Sequence, residues 1–379
     1  MTWVSLAVLG GVVGLFFQSS LMTTTKNLIK SLLHTFKPTA KLPQGGDLTS
    51  VETALNSRCT SDYDGNPETF HWGIFDRAKK LSDEQIRTII DLARIPRFTD
   101  QKAEIQPDRN MLTFIVQNHV SGVLKDWIMV ESGMQQQAVG LVCAALGVGM
   151  VFRNLGVDGI PISASDHANI RVQLDPMRPS YGGSFWSRSA PAGEKSWVTG
   201  NLSDPVRDGH NSLISTLKEL KTENRNARES TNDEVSQLLW SARGRSPHFY
   251  KSRPWGMTIP TCAGKQRVTS VYLLSDNKLS RYINWDDERP THSLSMLDRI
   301  NDGLIKEFSR VLYPNHTFII LGRNEYPAIS LWEVGYQMLN LLVQAHSLDI
   351  SYQASLLDET QRATVSLMGV KNPLATLAI

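Results

Sequence analysis

One apolar stretch occurs twice in this chain, and its repetition limits the folds that the sequence can adopt. The first copy is Trp127–Gly149, WIMVESGMQQQAVGLVCAALGVG, and the second is Trp332–Ile350, WEVGYQMLNLLVQAHSLDI. A shift of 202 positions places Gly133 on Gly335. Apolar residues recur at helical spacing in both copies, so we predict two long helices that are buried on most sides.

The segments around the two copies also repeat in one order. Before the first copy, the patterns predict helices at Ser50–Asn56 and Ser82–Ala93 and a strand at Leu112–Gln117, with a further strand at Ile170–Leu174 after it. Before the second copy, they predict helices at Ser212–Leu220, Asn232–Arg243 and Met296–Leu312, strands at Val268–Leu274 and Phe318–Gly322, and a polar connection at Asp276–Thr291. We therefore predict an α+β fold made by tandem duplication, with units at 48–200 and 201–379.

Composition places the chain among ordinary globular proteins. Of its 379 residues, 20% are charged and 41% are hydrophobic, and the formal net charge is +2. This charge, without a basic run interleaved with aromatic residues, argues against a nucleic-acid partner. The three cysteines, Cys59, Cys143 and Cys262, have no metal-ligand spacing, and we interpret them as reduced thiols. The histidines likewise show no metal-ligand spacing, so we predict no metal site.

The first 25 residues leave three interpretations open. Residues 3–22 are largely apolar and uncharged, and about 20 such residues can span a bilayer. The segment is a membrane anchor, a signal peptide, or a stretch removed by translation from Met22. Lysines follow it at Lys26, Lys30, Lys37 and Lys41, so an anchor would leave the rest of the chain in the cytoplasm. Residues 26–47 are interpreted as a linker.

A series of short motifs lies between the predicted elements. In the first unit they are Arg58-Cys59-Thr60-Ser61-Asp62-Tyr63, Leu81–Gln85, Pro96–Gln101, Leu146–Gly149 and Pro161–Asp166. The second unit carries Asn224–Arg228 and Pro260–Gln266 in place of the first and third motifs. In this order the motifs resemble those of the FMN-dependent nitroreductase superfamily, in which a helix precedes an arginine-serine motif and a long buried helix ends in Leu-Gly-Leu/Ile-Gly. The longer second unit resembles the tandem or SagB-type branch.

The resemblance implies a fold and a cofactor. In that family two subunits, each a mixed sheet around a central buried helix, form a dimer and bind FMN in the interface between them. The proline-serine segment then comes from the opposite subunit to the arginine motif. A fused chain would be an internal pseudo-dimer with two potential flavin sites.

The first potential site, called site one below, would combine both units. Its predicted contacts are Arg58, Thr60, Pro161, Ser163 and Ala164 of the first unit with Thr261, Cys262, Lys265 and Gln266 of the second. An arginine fork suits the FMN phosphate, and Thr60 could donate to the ribityl chain or the ring edge. The amides of Ser163 and Ala164 match the family position that faces the flavin N5. For Arg58, a plain surface arginine is the alternative.

The second potential site, site two, would combine Arg225 and Arg228 with Pro96–Asp100 and a turn near Gln353-Ala354. Several residues depart from the family pattern. Asp62 stands where the family prefers a base, Gly264 replaces an amide side chain, and Arg97-Phe98 replaces small residues. We predict site one as the more complete of the two.

These observations support two hypotheses of different classes. The first is an FMN-dependent oxidoreductase that passes two electrons from NAD(P)H to an unidentified small-molecule or peptide acceptor, with no side chain assigned as catalytic. The second is a degenerate, flavin-free scaffold or partner protein tethered to a membrane. A visible spectrum of the purified protein discriminates between them.

Overall fold

The computed structural model describes residues 49–58, 81–100, 104–108, 111–116, 121–152, 170–176, 200–246, 256–260, 268–286, 289–309, 317–324 and 327–379. These residues form eight helices and eleven strands, which confirms the predicted α+β class. The candidate anchor at 1–25 and the linker at 26–47 lie outside them. Within the described ranges, no helix has the length and apolar character that crossing a membrane requires.

The elements that the sequence predicts occur in the predicted order, except between Ser275 and Phe318. The first half contains α1 (Val51–Ser57), α2 (Asp83–Leu92), β1 (Glu104–Asp108), β2 (Met111–Ile115), α3 (Gly122–Leu146), β3 (Val148–Phe152) and β4 (Ile170–Pro176). The second half contains α4 (Leu213–Glu219), β5 (Glu223–Asn224), α5 (Asn232–Arg243), β6 (Thr269–Ser275), β7 (Lys278–Asp286), β8 (Arg289–Arg299), α6 (Asp302–Ser309), β9 (Phe318–Arg323), α7 (Pro327–Ser347), β10 (Tyr352–Leu356), α8 (Glu359–Leu367) and β11 (Pro373–Ala378). Outside the region between Ser275 and Phe318, the elements β1, β3, β5, β10 and α8 were not predicted.

The helix ends follow local capping chemistry. The hydroxyls of Ser82 and Thr231 accept the backbone N–H three residues later, and Gln85 and Glu234 bond back to complete capping boxes. These boxes fix the starts of α2 and α5 where the sequence predicted them. Gly147 ends α3 with a positive φ of 67°, a conformation that glycine adopts without steric cost.

The strands form two sheets. The order is β1-β2-β4-β3 in the four-stranded sheet and β5-β10-β11-β9-β6-β7-β8 in the seven-stranded sheet. Every strand pair in these sheets is antiparallel, so the prediction of mixed sheets is wrong for the described strands. Strand direction depends on how the connections run in space, and a hydrophobic pattern does not carry that information.

The seven-stranded sheet is buried on both faces, and β9 shows the alternation. Phe318 and Ile320 pack into a cluster with α6 and α8, whereas Ile319 and Leu321 pack into the larger core that contains α7. Successive strand residues point to opposite faces. A strand covered on both sides therefore reads as an unbroken apolar run.

The region after β6 is the exception to the predicted order. Asp276–Thr291 was predicted as a polar connection and Met296–Leu312 as a helix, but the structure has the long hairpin β7–β8 and a shorter helix, α6. Asp276 and Asn277 join β6 to β7 with φ angles of 50° and 60°. Two consecutive positive φ angles are typical of a type I′ hairpin turn, for which Asp and Asn are favoured. Strands β7 and β8 are half exposed and carry polar residues on one face, so the sequence pattern did not indicate strands there.

The two repeated helices cross at the glycines that the repeat aligns. A Cβ atom added to Gly133 would lie 2.3 Å from the carbonyl oxygen of Trp332, and one added to Gly335 would lie 2.1 Å from that of Val130. Since 130 + 202 is 332 and 133 + 202 is 335, each contact is the repeat-related counterpart of the other. The main chains of α3 and α7 are therefore in reciprocal contact.

The short helices α1 and α4 also meet reciprocally. The Val51 N–H donates to the Asn211 carbonyl at 3.0 Å, and the Leu213 N–H donates to the Thr49 carbonyl at 2.9 Å. Each donor is the first residue of its helix, and each acceptor lies two residues before the other helix begins. A second pair of elements that the sequence predicted as counterparts is therefore joined symmetrically.

Candidate functional site

Arg58, in the first half of the chain, binds the main chain of the second half through its side chain. It caps the C-terminal end of α1 and is 3% exposed. Its Nε donates to the Thr258 carbonyl at 3.1 Å, and its Nη2 donates to the Met257 carbonyl at 2.9 Å. Its aliphatic stem packs over α3, where a Cβ atom added to Gly140 would lie 3.6 Å from the Arg58 Cδ. Arg58 thus holds the main chain just before Pro260.

The Thr258 carbonyl accepts two further hydrogen bonds. Gln137 Nε2 of α3 donates to it at 3.1 Å, and Asn340 Nδ2 of α7 donates to it at 3.2 Å. Gln137 Nε2 also donates to Asn340 Oδ1 at 2.8 Å, and Asn340 Nδ2 to the Ser241 carbonyl at 2.8 Å. We call Arg58, Gln137, Thr258 and Asn340 the Thr258 cluster. Three separate elements meet there on one main-chain oxygen.

Arg225 and Arg228 both form ion pairs with the chain's own carboxylates. Arg225 binds Glu223 at 2.9 Å, with about half of each side chain exposed. Arg228 places both terminal nitrogens on the Glu234 carboxylate and also donates to the Leu348 carbonyl. The hydrogen bond from Arg228 lowers the pKa of Glu234 to about 2. Arg228 thus ties the turn after β5 to α5 and to the end of α7, whereas Arg225 pairs with a residue of β5 itself.

Arg58 and Arg225 occupy different places in their units. Arg58 is the first residue after α1, which ends at Ser57, whereas Arg225 lies six residues beyond Glu219, the end of α4. The two motifs were aligned as equivalents in the sequence. The structure places them at unequal distances from their helices, because β5 intervenes only in the second half.

The segment Pro96–Asp100, predicted for site two, is held by Glu131 of α3. One carboxylate oxygen accepts the N–H groups of Phe98 and Thr99 at 2.5 and 2.7 Å, and the other accepts the Thr99 hydroxyl at 2.8 Å. Burial raises the pKa of Glu131, although the Thr99 and Phe98 hydrogen bonds oppose that rise. Main-chain amides of this segment are therefore bound to an internal carboxylate.

Glu333, the repeat-related counterpart of Glu131, has different partners. It accepts from Arg243 Nη1 at 2.9 Å and from the Thr269 hydroxyl at 3.1 Å. The Glu333 and Arg243 side chains are 0% and 5% exposed. Gln337 Nε2 also donates to the Thr269 hydroxyl at 2.9 Å. Glu333 of α7 thus forms a buried ion pair, whereas Glu131 of α3 binds main-chain N–H groups.

Two further predictions concern site two and the thiols. Gln353 and Ala354 lie within β10, between β5 and β11, so the turn predicted there is wrong. Cys143 is buried and its thiol pKa is raised by burial, in agreement with a reduced, unreactive thiol. Cys59 and Cys262 lie outside the described residues.

Most of the predicted flavin contacts also lie outside the described residues. They are Thr60, Pro161, Ser163, Ala164, Thr261, Cys262, Lys265 and Gln266, together with the departures Asp62 and Gly264. Their flavin roles remain predictions. Across the ranges that the structure covers, no group of histidine, cysteine or carboxylate side chains is arranged to hold a metal ion.

Comparisons with known proteins were made at three levels. No protein-family model matches the sequence, and no curated protein is significantly similar to it. Among solved structures, a protein from Ralstonia eutropha JMP134 provisionally assigned as a nitroreductase is 20% identical, with a TM-score of 0.37, over 47% of this chain and 86% of the other. One from Anabaena variabilis ATCC 29413 with the same assignment is 10% identical, with a TM-score of 0.45, over 71% of this chain and 68% of the other. At these scores neither likeness establishes a shared fold, activity or cofactor.

The arginines allow a test of whether the described residues fit the FMN phosphate. A phosphate dianion needs a fork or amides that point at it. Two donor groups of Arg58 point at main-chain carbonyls, and the forks of Arg225 and Arg228 point at glutamates. In this arrangement the three arginines do not fit the phosphate role predicted for them. The fit to the flavin ring concerns residues outside the described ranges.

The sequence did carry a signal for the residues that were missed. Gln137, Asn340 and Thr258 were not predicted as site residues, yet each is fully buried. Buried amides in an apolar helix are costly unless they are hydrogen-bonded. The glutamines at 135–137 and Asn340 interrupt otherwise apolar stripes, which indicates polar contacts between the helices.

Proposed function

We propose that this chain is an FMN-dependent oxidoreductase of the nitroreductase type, built as an internal pseudo-dimer. It would pass two electrons from NAD(P)H to a small-molecule or peptide acceptor. The order of the motifs in both halves supports the family. We further propose that residues 3–22 tether the chain to a membrane and leave the catalytic part in the cytoplasm.

The pseudo-dimer is supported by two reciprocal contacts. The Gly133 and Gly335 contacts relate α3 to α7, and the Val51 and Leu213 hydrogen bonds relate α1 to α4. In a two-fold arrangement, a contact from one unit to the other occurs twice with the roles exchanged. Both pairs have this property.

The single observation that carries the proposal is the contact between Arg58 and residues 257–258. The resemblance predicts that the arginine motif of one unit meets the proline segment of the other. Arg58 belongs to the first motif, and its two main-chain acceptors precede Pro260 of the second. This contact favours site one as the working site.

The bound FMN would supply the hydride chemistry. The chain would bind and orient the ring and exclude water from it. The central helices offer a rigid base for this task, because their main chains touch at Gly133 and Gly335. We assign no side chain as a catalytic acid or base.

The visible absorption spectrum of the purified full-length chain tests this proposal. We expect an oxidised-flavin band at about 450 nm that bleaches when NADH or NADPH is added without oxygen. A colourless protein that added FMN does not restore would overturn it. Chromatography of the flavin released by denaturing the protein, against FMN and FAD standards, identifies it as FMN.

The arginine geometry favours a second candidate function. If Arg58, Arg225 and Arg228 serve only the protein's own carbonyls and carboxylates, the chain would be a flavin-free partner protein tethered to a membrane. Asp62 and Gly264 agree with this alternative. The same spectrum decides between the two functions, since only the enzyme binds a flavin.

A further inference from the structure

The Thr258 cluster links the two halves of the chain through one carbonyl group. The main chain of Thr258 is also anchored in its own half, because its N–H donates to the Gly244 carbonyl at 3.0 Å and its hydroxyl donates to the Trp240 carbonyl at 3.3 Å. Both the peptide before Thr258 and the peptide after it are therefore held. The residue is 0% exposed.

The hydrogen-bond network fixes the orientation of both side-chain amides. The carbonyls of Thr258 and Ser241 only accept, so Asn340 must turn its NH₂ group toward them. Its Oδ1 then faces Gln137, which must present its own NH₂ group to both Asn340 and Thr258. Neither amide can rotate without setting oxygen against oxygen.

A buried amide with an unpaired oxygen makes the folded chain less stable than an apolar side chain would. Stability alone therefore does not explain why an amide stands at this position. The Gln137 Oε1 atom is buried and has no hydrogen-bond partner among the described residues. An unsatisfied buried acceptor destabilises the folded chain. An apolar residue would avoid this cost but would release the Thr258 carbonyl.

The repeat-related positions do not form a second cluster of this kind among the described residues. The repeat places Leu339 opposite Gln137 and Ala138 opposite Asn340, and neither counterpart carries an amide. The segment Pro96–Asp100 is held through its N–H groups by Glu131 instead. The main chain before Pro260 is thus held through its carbonyl groups, whereas the segment Pro96–Asp100 is held through its N–H groups.

We propose that Gln137, Asn340 and Arg58 are positioning residues that fix the main chain at Met257–Pro260 for cofactor binding at site one. Arg58 acts through the two carbonyls that it holds and makes no contact with the phosphate. This inference rests on the proposed function, because it concerns the entry to the predicted flavin segment.

Gln137→Leu tests the proposal, with Gln136→Leu as the matched control. Gln136 is the next residue on α3, is equally buried, and bonds to Tyr336 and Ser132. Both variants remove one buried amide from the same turn, and only Gln137 holds Thr258. The FMN dissociation constant, hydrogen exchange in the peptide 256–260 and the thermal midpoint are measured for each full-length variant.

We expect Gln137→Leu to weaken FMN binding by about tenfold or more and to speed exchange of the Thr258 amide. Gln136→Leu should lower the thermal midpoint with both other readouts near wild type. If Gln137→Leu does not fold, Asn340→Ala takes its place, because it removes the other side-chain amide that donates to the Thr258 carbonyl. The separate variant Arg58→Lys keeps the charge but lacks the two nitrogens, Nε and Nη2, that bind the Thr258 and Met257 carbonyls, and it should also weaken binding.

The two possible failures are distinguishable. If wild-type protein binds FMN and the Gln137 and Gln136 variants behave alike, the positioning role is overturned and the proposed function stands. If wild-type protein shows no affinity for FMN, the proposed function is overturned and the positioning role falls with it.

Discussion

Gly133 of α3 and Gly335 of α7 touch through their main chains: a Cβ atom on Gly335 would lie 2.9 Å from the Cα atom of Gly133. The two positions are aligned by the sequence repeat and face each other in the structure. Real Cβ atoms are not found this close to another backbone. Glycine at both positions is therefore what allows the central helices to pack at this distance.

Replacing Gly133 with alanine should force the helices apart. The new methyl group would meet the Trp332 carbonyl oxygen at 2.3 Å, and overpacking of this kind costs about 1–3 kcal/mol or more. Gly140→Ala is the control, because its methyl group would meet the flexible end of Met150 at 3.3 Å and alanine favours the helix. Urea denaturation compares the two. Equal midpoints would show that the helices are not packed as closely as described.

Neutralising Glu333 should destabilise the chain strongly. Glu333→Gln removes the charge that faces Arg243 in a pair with almost no exposure, and breaking a buried pair in this way costs about 3–5 kcal/mol. Glu223→Gln breaks the half-exposed pair with Arg225, and pairs of this kind contribute about 0–1 kcal/mol. Free energies of unfolding measure both changes. A similar loss in the two variants would contradict the buried pair.

Glu131 should make stability fall as pH rises above the ordinary carboxyl range. Burial raises its pKa above 4.5 in the folded chain, so the folded chain binds more protons than the unfolded chain between 4.5 and that raised value. Stability is then lost as pH increases through this window. Glu131→Gln does not titrate and should lack this decline. Parallel curves of urea midpoint against pH for the two proteins would refute the assignment.

Glu234 should have the opposite dependence at acid pH. Its folded-state pKa of about 2 lies below the ordinary value of 4.5, so the stability it contributes is complete above 4.5 and is lost as pH falls toward 2. Glu234→Gln keeps the side-chain capping of α5 and removes only the charge. The variant should therefore lose less stability than wild type over this range in thermal denaturation. If Glu234→Gln and wild type lose the same stability as pH falls over this range, the pairing with Arg228 would be contradicted.

Arg225 and Arg58 should differ in their effect on flavin binding. Arg225→Ala breaks an exposed ion pair and should change the FMN dissociation constant by no more than about twofold, whereas Arg58→Ala should weaken it by about tenfold. Fluorescence titration with FMN measures both. If only Arg225→Ala weakens FMN binding strongly, the phosphate would be assigned to site two.

The periodic and capped segments could be predicted from the sequence. Ser82 and Thr231 start their helices where predicted, because a cap and its reciprocal partner lie within four residues of chain. Both central helices begin five residues before their predicted starts and end three residues before their predicted ends. The packing of the chain, and not the local pattern alone, decides where a helix begins and ends. Strands β7 and β8 were missed, although Asp276-Asn277, which joins β6 to β7, was a usable turn signal.

The site was less predictable than the fold. Arg58 was predicted as a flavin contact, and its partners at residues 257 and 258 lie about two hundred positions away, where no local pattern points to them. Arg225 and Arg228 were predicted as flavin contacts of site two, because a sequence cannot show that Glu223 and Glu234 bind them.

The sequence by itself determined the α+β class, the repeat of a glycine-bearing apolar helix, and the starts of α1, α2, α4 and α5, because these depend on neighbouring residues and on periodic burial. Only the tertiary structure decided that the repeated helices meet at Gly133 and Gly335, that the sheets are antiparallel, and that Gln137 and Asn340 join Arg58 on one carbonyl. Those features arise from contacts between distant segments, whose geometry is set by packing and hydrogen bonding of the whole chain.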